Sequence, residues 1–521
     1  MLSTWFANNS FTTSADLYAS LVSVVQSFYD HYVLQINHTK SSARHSGEWV
    51  RDRRLRESEE EVTQAAAAYH SNRTFDTLHA YLTAARSSRD LKHTVKQEYW
   101  YDFLQHINTH TPVTRAWRFV NRVVQSHENT SPPLHHNPVE YATYLANKWS
   151  TQSQLTFLPA PTRARLLAAS TNRLARIAEA RTTPLFLDDH PITDEELRLA
   201  LLQGRATAPG DDGITYSTLR LIAQVPGNPL LTLYNLSLSE GALPEEWTRS
   251  TILPIPKPDS SDIRPISLTS CLCKVLERIL LARLRNLVQD QLSPHLYGFL
   301  PGRSTHHCLA ELLSHLTSTS CVAFLDLKAA FDVANREVIL DELVHLGVTG
   351  RLFCWIENYL SHRYSRVLYC GAVSDYLPFN LGTPQGGVLS PFLFNILMNK
   401  LLRSLEPTPT SSLLLSYADD ICIHSHCPVT LQRLLTKFGQ AASACGLIIN
   451  TSRTKLFTQS LNHRYACKTI TLLGSRLDVV HDYKYLGIPL SSLYNPAQYV
   501  TTLRTRLLHR LIFLSHPAHT G

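Results

Sequence analysis

Residues 413–423 read Leu-Leu-Leu-Ser-Tyr-Ala-Asp-Asp-Ile-Cys-Ile. Apolar residues fill both ends, and two adjacent carboxylates, Asp419 and Asp420, occupy the middle. The flanks read as two short buried strands. Tyr417-Ala418-Asp419-Asp420 is then the tight turn between them. A buried hairpin that presents neighbouring acids at its tip is costly, because like charges raise each other's pKa. A divalent cation at the tip makes the arrangement favourable. An ordinary polar turn is the other reading, since Asp is common in turns. A second acid elsewhere in the chain decides between them.

That acid lies in Cys321-Val-Ala-Phe-Leu-Asp326-Leu-Lys-Ala-Ala-Phe331-Asp332. The apolar run reads as a buried strand that delivers Asp326 at its end. Residues 329–347 then carry helical spacing, with Val338, Ile339, Leu343 and Leu346 on one face and Gly347 as the stop. Two strand-borne acid sites suit two-metal phosphoryl transfer, in which carboxylates from separate elements hold a pair of ions. Magnesium fits such a site because it takes few protein ligands and keeps water and phosphate.

Between the two blocks stands Gly382-Thr-Pro-Gln385-Gly386-Gly387-Val-Leu-Ser-Pro391, a Gly-rich turn that feeds a helix. Together with YADD and FLDLKAAFD, in this order, it resembles the core of a reverse transcriptase. The closest type is that of non-LTR (LINE-like) retrotransposons. Ala208-Pro-Gly-Asp211-Asp-Gly-Ile214, Arg264-Pro-Ile-Ser-Leu268, Tyr297-Gly-Phe-Leu-Pro-Gly-Arg303 and Tyr483-Lys-Tyr-Leu-Gly487 extend the likeness over roughly residues 190–490. Asp211 stands where proline is usual.

The resemblance implies an α/β (α+β) right-hand polymerase. A mostly helical N-terminal and linker region spans 1–185, and fingers with the start of the palm span 186–320. A palm of antiparallel sheet and helices spans 321–480, and a primer-grip hairpin with a truncated thumb spans 481–521. It implies an RNA-directed DNA polymerase that adds dNTPs to a primer 3′-hydroxyl with two Mg2+ ions, Mn2+ being a substitute. The partners would be an RNA template and a DNA primer or target DNA. The setting would be an intracellular ribonucleoprotein, in nucleus or cytoplasm. A catalytically impaired remnant or domesticated nucleic-acid-binding protein is one alternative, and a maturase-type reverse transcriptase is another.

Site roles follow from the same resemblance. Asp326, Asp419 and the Leu327 carbonyl would hold metal, with Asp420 in electrostatic support. Lys257 and Arg264 would lie near the triphosphate, where cations that do not act as bases are needed. Phe331 would stand against the sugar and exclude a 2′-hydroxyl, and Gln385 and Gly386 would lie beneath the nascent pair. Arg453 stands where a lysine usually protonates pyrophosphate. Arginine is a poor proton donor, so Lys455 is the alternative. Tyr485, Leu486 and Gly487 would grip the primer end.

Composition sets the bounds. A chain of 521 residues exceeds one compact core. Hydrophobic content of 44% and charged content of 17% are globular rather than disordered. A net charge of +7 permits a polyanionic partner without demanding one. Ten scattered cysteines read as reduced thiols. Cys422-Ile-His424-Ser-His426-Cys427 has zinc-like composition but alternates like a strand. No apolar run reaches membrane-spanning length. Upstream, helices are expected over Leu17–Leu34, Glu59–Tyr69, Thr77–Arg86, Leu91–Ile107 and Val139–Trp149, with Ser131–Pro138 as a linker. Tyr99, Trp100, Tyr101, Phe103, Trp117 and Phe119 read as core aromatics, with base stacking as the other reading.

Overall fold

The computed structural model describes residues 2–37, 52–72, 74–105, 137–184, 190–204, 207–256, 263–317, 319–406, 412–458 and 467–491. Two compact units arise, one from 26–134 and one from 1–25 with 135–521. No described helix is long and apolar enough to cross a membrane.

In the 26–134 unit, helices Arg53–Ser71 and Phe75–Gln105 pack side by side. Lys92 pairs with Glu59 at 2.7 Å and Arg54 with Glu98 at 2.6 Å. The second helix joins the two segments expected separately over 77–107, because Ser87-Ser-Arg-Asp90 contains no Gly or Pro to break it. The side chains of Tyr99, Trp100, Tyr101 and Phe103, together with Trp117, Phe119 and residues 131–136, lie outside the described residues.

Among the described residues the larger unit holds two five-stranded sheets and two two-stranded ones. Its strands are β1 (Arg249–Pro256), β2 (Ile263–Leu268), β3 (Cys321–Leu325), β4 (Arg363–Tyr369), β5 (Ala372–Val373), β6 (Leu377–Phe379), β7 (Ser412–Tyr417), β8 (Asp420–Ser425), β9 (Lys455–Thr458), β10 (Thr471–Leu472), β11 (Ser475–Arg476), β12 (Asp478–Val480), β13 (Asp482–Tyr485) and β14 (Ile488–Ser491). The two-stranded sheets are β10-β11 and β13-β14, and the central sheet has the order β12-β9-β3-β8-β7. All its pairs are antiparallel except β9–β12, which is parallel. β3 is buried along its whole length, as its unbroken apolar run requires of a central strand.

Side chains alternate across this sheet. Val322, Phe324, Cys422, Leu413, Leu415 and Phe457 form one core with Cys308, Leu309 and Leu312 of helix Thr305–His315 and with Tyr485 and Leu490 of the β13–β14 hairpin. Helix Pro428–Ala444 also packs on β3 and β8. Helix Arg336–His345 packs between helices Ser390–Arg403 and Ser170–Thr182. Arg173 pairs with Glu337 at 2.6 Å across that contact.

The second sheet runs β2-β1-β4-β5, with β6 also on β4. Helix Pro138–Gln152 covers it, setting Ala142, Leu145, Ala146 and Trp149 against Ile252, Val367 and Tyr369. This helix, expected in the N-terminal region, therefore shares a core and a compact unit with the strands downstream. The helix expected after Asp326 is split in two. Residues Ala330–Val333 form one turn, Ala334 is extended, and Asn335 caps Arg336–His345. The break frees the Ala334 carbonyl, which accepts from the Gly382 N–H at 2.8 Å.

Candidate active site

The β7–β8 hairpin turns on two residues, because Tyr417 pairs directly with Asp420. Ala418, the first turn residue, takes a positive φ of 55°, which suits tight hairpins. The turn is held from outside as well. The Ser416 N–H donates to the His295 carbonyl at 2.9 Å, and the Tyr297 N–H donates to the Ser416 carbonyl at 2.8 Å. Gly298 lies so close that a Cβ there would stand 2.6 Å from the Ala418 nitrogen. The Tyr297-Gly298 block is thus a buttress for the acid tip.

Asp326 meets this tip through the sheet register. Leu325 pairs with Ile421, so the next position on each strand sets Asp326 opposite Asp420. The Asp420 carboxyl is pushed up to about 6 by burial, by the Asp419 charge and by the Asp326 charge. Its outer edge is exposed, yet the protein packed around it still makes burial the largest cause. Asp326 itself is clasped by the turn at 450–454: its carbonyl accepts from the Asn450 N–H at 2.8 Å, and its N–H donates to Thr454 Oγ1 at 3.3 Å. Leu327 bridges to Ile449 through bonds made by its neighbours, which leaves its own carbonyl off that ladder.

These groups suit a hard divalent ion. Three carboxylates repel one another at one point of the sheet, and a cation offsets that repulsion. Among the described residues, no set of three His, Cys, Asp or Glu side chains is disposed to hold an ion by itself. The remaining oxygens must then come from backbone, water and substrate, the pattern magnesium prefers. The His315, His424 and His426 rings adjoin one another at the far end of β8 without forming such a set.

The Gly-rich turn packs on the segment 331–336 that follows Asp326. Gln385 Nε2 donates to Asp332 Oδ1 at 2.7 Å, and the Gln385 carbonyl accepts from the Ser267 N–H of β2 at 2.7 Å. Gly386 has a φ of 141°, and a Cβ there would lie 2.2 Å from the Ser267 carbonyl oxygen. No other residue type fits. Arg336 ties the start of the turn, with Nε on the Gly382 carbonyl at 2.9 Å and a terminal nitrogen on the Leu381 carbonyl at 3.1 Å. Phe331 is half-buried, stacked on Phe394 at 4.2 Å and edge-on to Phe299 at 6.3 Å. Its carbonyl accepts from the Thr383 N–H at 3.1 Å.

Arg264 is exposed on β2, three residues from Ser267 and so roughly 10 Å along the strand. Lys257 lies outside the described residues. Arg453 is exposed in the turn that clasps Asp326. Lys455 is committed elsewhere, to Asp478 at 2.6 Å and to the Ser452 carbonyl at 2.8 Å. Leu486 and Gly487, with φ of 46° and 86°, turn the β13–β14 hairpin. Tyr485 is buried against Phe324 at 4.9 Å, and Tyr483 stacks on Phe324 at 4.2 Å. Phe324 is two residues before Asp326 on the same face of β3, so this hairpin packs next to the acid end of the strand, and burial with the Asp420 and Asp326 charges raises the Tyr483 hydroxyl. Residues 492–521, where thumb helices are expected, lie outside the described residues.

Sequence reasoning missed Asp332, Ser267 and Arg336 as partners of the turn, and Tyr483 as the ring beside the acids. Asp332 lay inside the quoted block, but nothing in its spacing pointed to Gln385.

Residues 255–490 match the reverse transcriptase (RNA-dependent DNA polymerase) family. The chain is 29% identical over 364 residues to the RNA-directed DNA polymerase from mobile element jockey of Drosophila funebris, covering 64% of this chain and 39% of that protein. It is 30% identical over 323 residues to the retrovirus-related Pol polyprotein from type-2 retrotransposable element R2DM of Drosophila melanogaster, covering 57% and 30%. A probable RNA-directed DNA polymerase from transposon BS of Drosophila melanogaster is 28% identical over 370 residues, covering 64% and 40%. The chain thus spans well under half the length of each of these relatives.

Proposed function

We propose that this chain, whose residues 255–490 form a reverse transcriptase domain, extends a nucleic-acid primer with deoxynucleotides on an RNA template, as part of a non-LTR retroelement. The observation that carries the reading is the sheet register, which sets Asp326 at the end of β3 opposite Asp420 and next to Asp419 at the β7–β8 tip. The primer 3′-oxygen would attack the α-phosphate of the nucleotide, and pyrophosphate would leave. Two magnesium ions, held by Asp326, Asp419 and the Leu327 carbonyl, would supply Lewis acidity to the 3′-hydroxyl and the triphosphate.

The chain's own residues do the rest. Asp420 adds negative charge behind the two ligands. Phe331, fixed by Phe394 and Phe299, offers a rigid ring edge to the sugar. Gln385, oriented by Asp332, lies under the nascent base pair. Arg264 draws the triphosphate, since a guanidinium binds phosphate oxygens without competing as a base. Lys455, held by Asp478, is not offered to the departing pyrophosphate, so we assign its protonation to water or solvent near Arg453. The ten cysteines form no disulfide among the described residues, which supports our reading of a reducing, intracellular setting.

Extension of oligo(dT) on poly(rA) with dTTP and Mg2+ tests the reading. Template-dependent incorporation is expected. Tight template binding with no incorporation would favour the non-catalytic remnant instead.

A further inference from the structure

Glu277 lies in helix Cys271–Val288 and is fully buried, more than 45 residues in sequence from the acids and more than 100 from the Gly-rich turn. A buried carboxylate is costly unless donors surround it. Its Oε2 accepts three hydrogen bonds: from the Val388 N–H at 2.6 Å, the Leu389 N–H at 2.9 Å and the Tyr359 hydroxyl at 3.1 Å. Val388 and Leu389 directly precede helix Ser390–Arg403, so the carboxylate stands at the positive end of that helix. Leu389, at the N-cap position, makes no side-chain cap of its own.

Gly387 fits this arrangement closely. A Cβ at Gly387 would lie 2.3 Å from the Tyr359 hydroxyl, 2.8 Å from Ser390 Oγ and 3.1 Å from Glu277 Oε2. The backbone is drawn down onto the carboxylate at the residue after Gly386. On the other side, Ser267 and Asp332 hold Gln385 and Arg336 holds Gly382. The downstream end of the same turn is held by Glu277.

We propose that Glu277 is a positioning residue for nucleotide selection. By fixing Val388 and Leu389 it sets the height of Gln385 and Gly386 under the nascent base pair, and it touches neither substrate nor metal. This rests on the polymerase reading above. Because Glu277 acts through the turn, its loss changes nucleotide binding and fidelity more than primer–template binding. Displacement of such a turn by about 1 Å costs up to about 100-fold in rate. Oε1 has no hydrogen-bond partner among the described residues. A glutamine can keep an acceptor at the Oε2 position, at the cost of the charge and of an amide group buried where Oε1 stood.

The test uses the full chain with E277A, E277Q, Q385A and the E277A/Q385A double variant. For E277A the KM for dTTP is expected to rise about 10-fold or more, with more misincorporation and an unchanged Kd for primer–template. E277Q should recover most of the loss. Adding E277A to Q385A should cost little more, because residues acting as one unit are not additive. A fall in kcat that follows only the loss of folded protein, with KM and fidelity unchanged in both variants, would overturn the proposal. Amide hydrogen exchange at Val388 and Leu389 gives a readout free of catalysis. Faster exchange in E277A is expected, and unchanged protection would overturn the clamp even if the wild-type chain proved inactive. An inactive wild type with exchange altered as expected would instead count against the polymerase reading alone.

Discussion

At the acid tip, Asp419 and Asp420 are fixed by their own neighbours in one hairpin, with a buttress from Tyr297-Gly298. At the Gln385 turn, the holding groups come from β2, from the Asp332–Arg336 segment and from helix Cys271–Val288. The first is a local device, and the second is an assembly. A local device is written in consecutive letters. An assembly depends on side chains whose partners exist only after folding, so its sequence shows a Gly-rich loop and little of what holds it. The comparison also predicts different failures: the tip loses chemistry when one acid is removed, and the turn loses geometry when any contact is disturbed.

The turn can be broken at its tightest point. Gly386→Ala places a methyl 2.2 Å from the Ser267 oxygen on a strained backbone. Incorporation should fall about 100-fold or more, with a stability loss of about 1–3 kcal/mol. Near wild-type incorporation would show that the turn adjusts freely. The contact between the two regions is next. Phe331→Val should raise ribonucleotide use relative to deoxynucleotide use by about 10-fold or more, since the four carbons lost open room for the added hydroxyl, whose rejection by an apolar wall is worth up to about 100-fold. An unchanged ratio would leave Phe331 as packing on Phe394.

The acid strand offers a smaller test at its far end. His424 is buried, with Nε2 on Ser320 Oγ at 2.8 Å and Nδ1 unpartnered among the described residues. Burial, with His426 and His315 nearby, holds it down to about 4. The unfolded chain therefore binds the extra proton between pH about 6.5 and about 4. Stability is full above the unfolded value and falls as pH drops through this window. A loss of about 1–2 kcal/mol by pH 5 is expected, read from urea midpoints. His424→Gln should flatten the profile, and matching profiles for both chains would remove His424 as the cause. The smallest effect is expected at Lys455→Met. Its exposed pair with Asp478 is screened by solvent and adds little to stability, and incorporation should change by no more than about twofold. A loss of about 100-fold would instead make Lys455 the proton donor.

Much of this was legible beforehand. The buried β3 and the acid hairpin follow from apolar runs and spacing. Ala334 was not legible, because the sequence around it keeps helical spacing while the Gly382 N–H claims its carbonyl. Nor was the helix Pro138–Gln152 legible as a cover for β1 and β4, since its apolar face says only that some partner exists. The commitment of Lys455 to Asp478 depends on the parallel β9–β12 pair, a contact between short strands.

The central claim is that the acids of β3 and the β7–β8 tip carry the chemistry. The direct measurement is primer extension on poly(rA)/oligo(dT) with Mg2+, comparing the chain with Asp419→Ala after checking that both are folded. The account predicts incorporation that falls about 1,000-fold or more in the variant, because a lost metal ligand removes several kcal/mol of transition-state stabilisation. Extension that survives the substitution would contradict it.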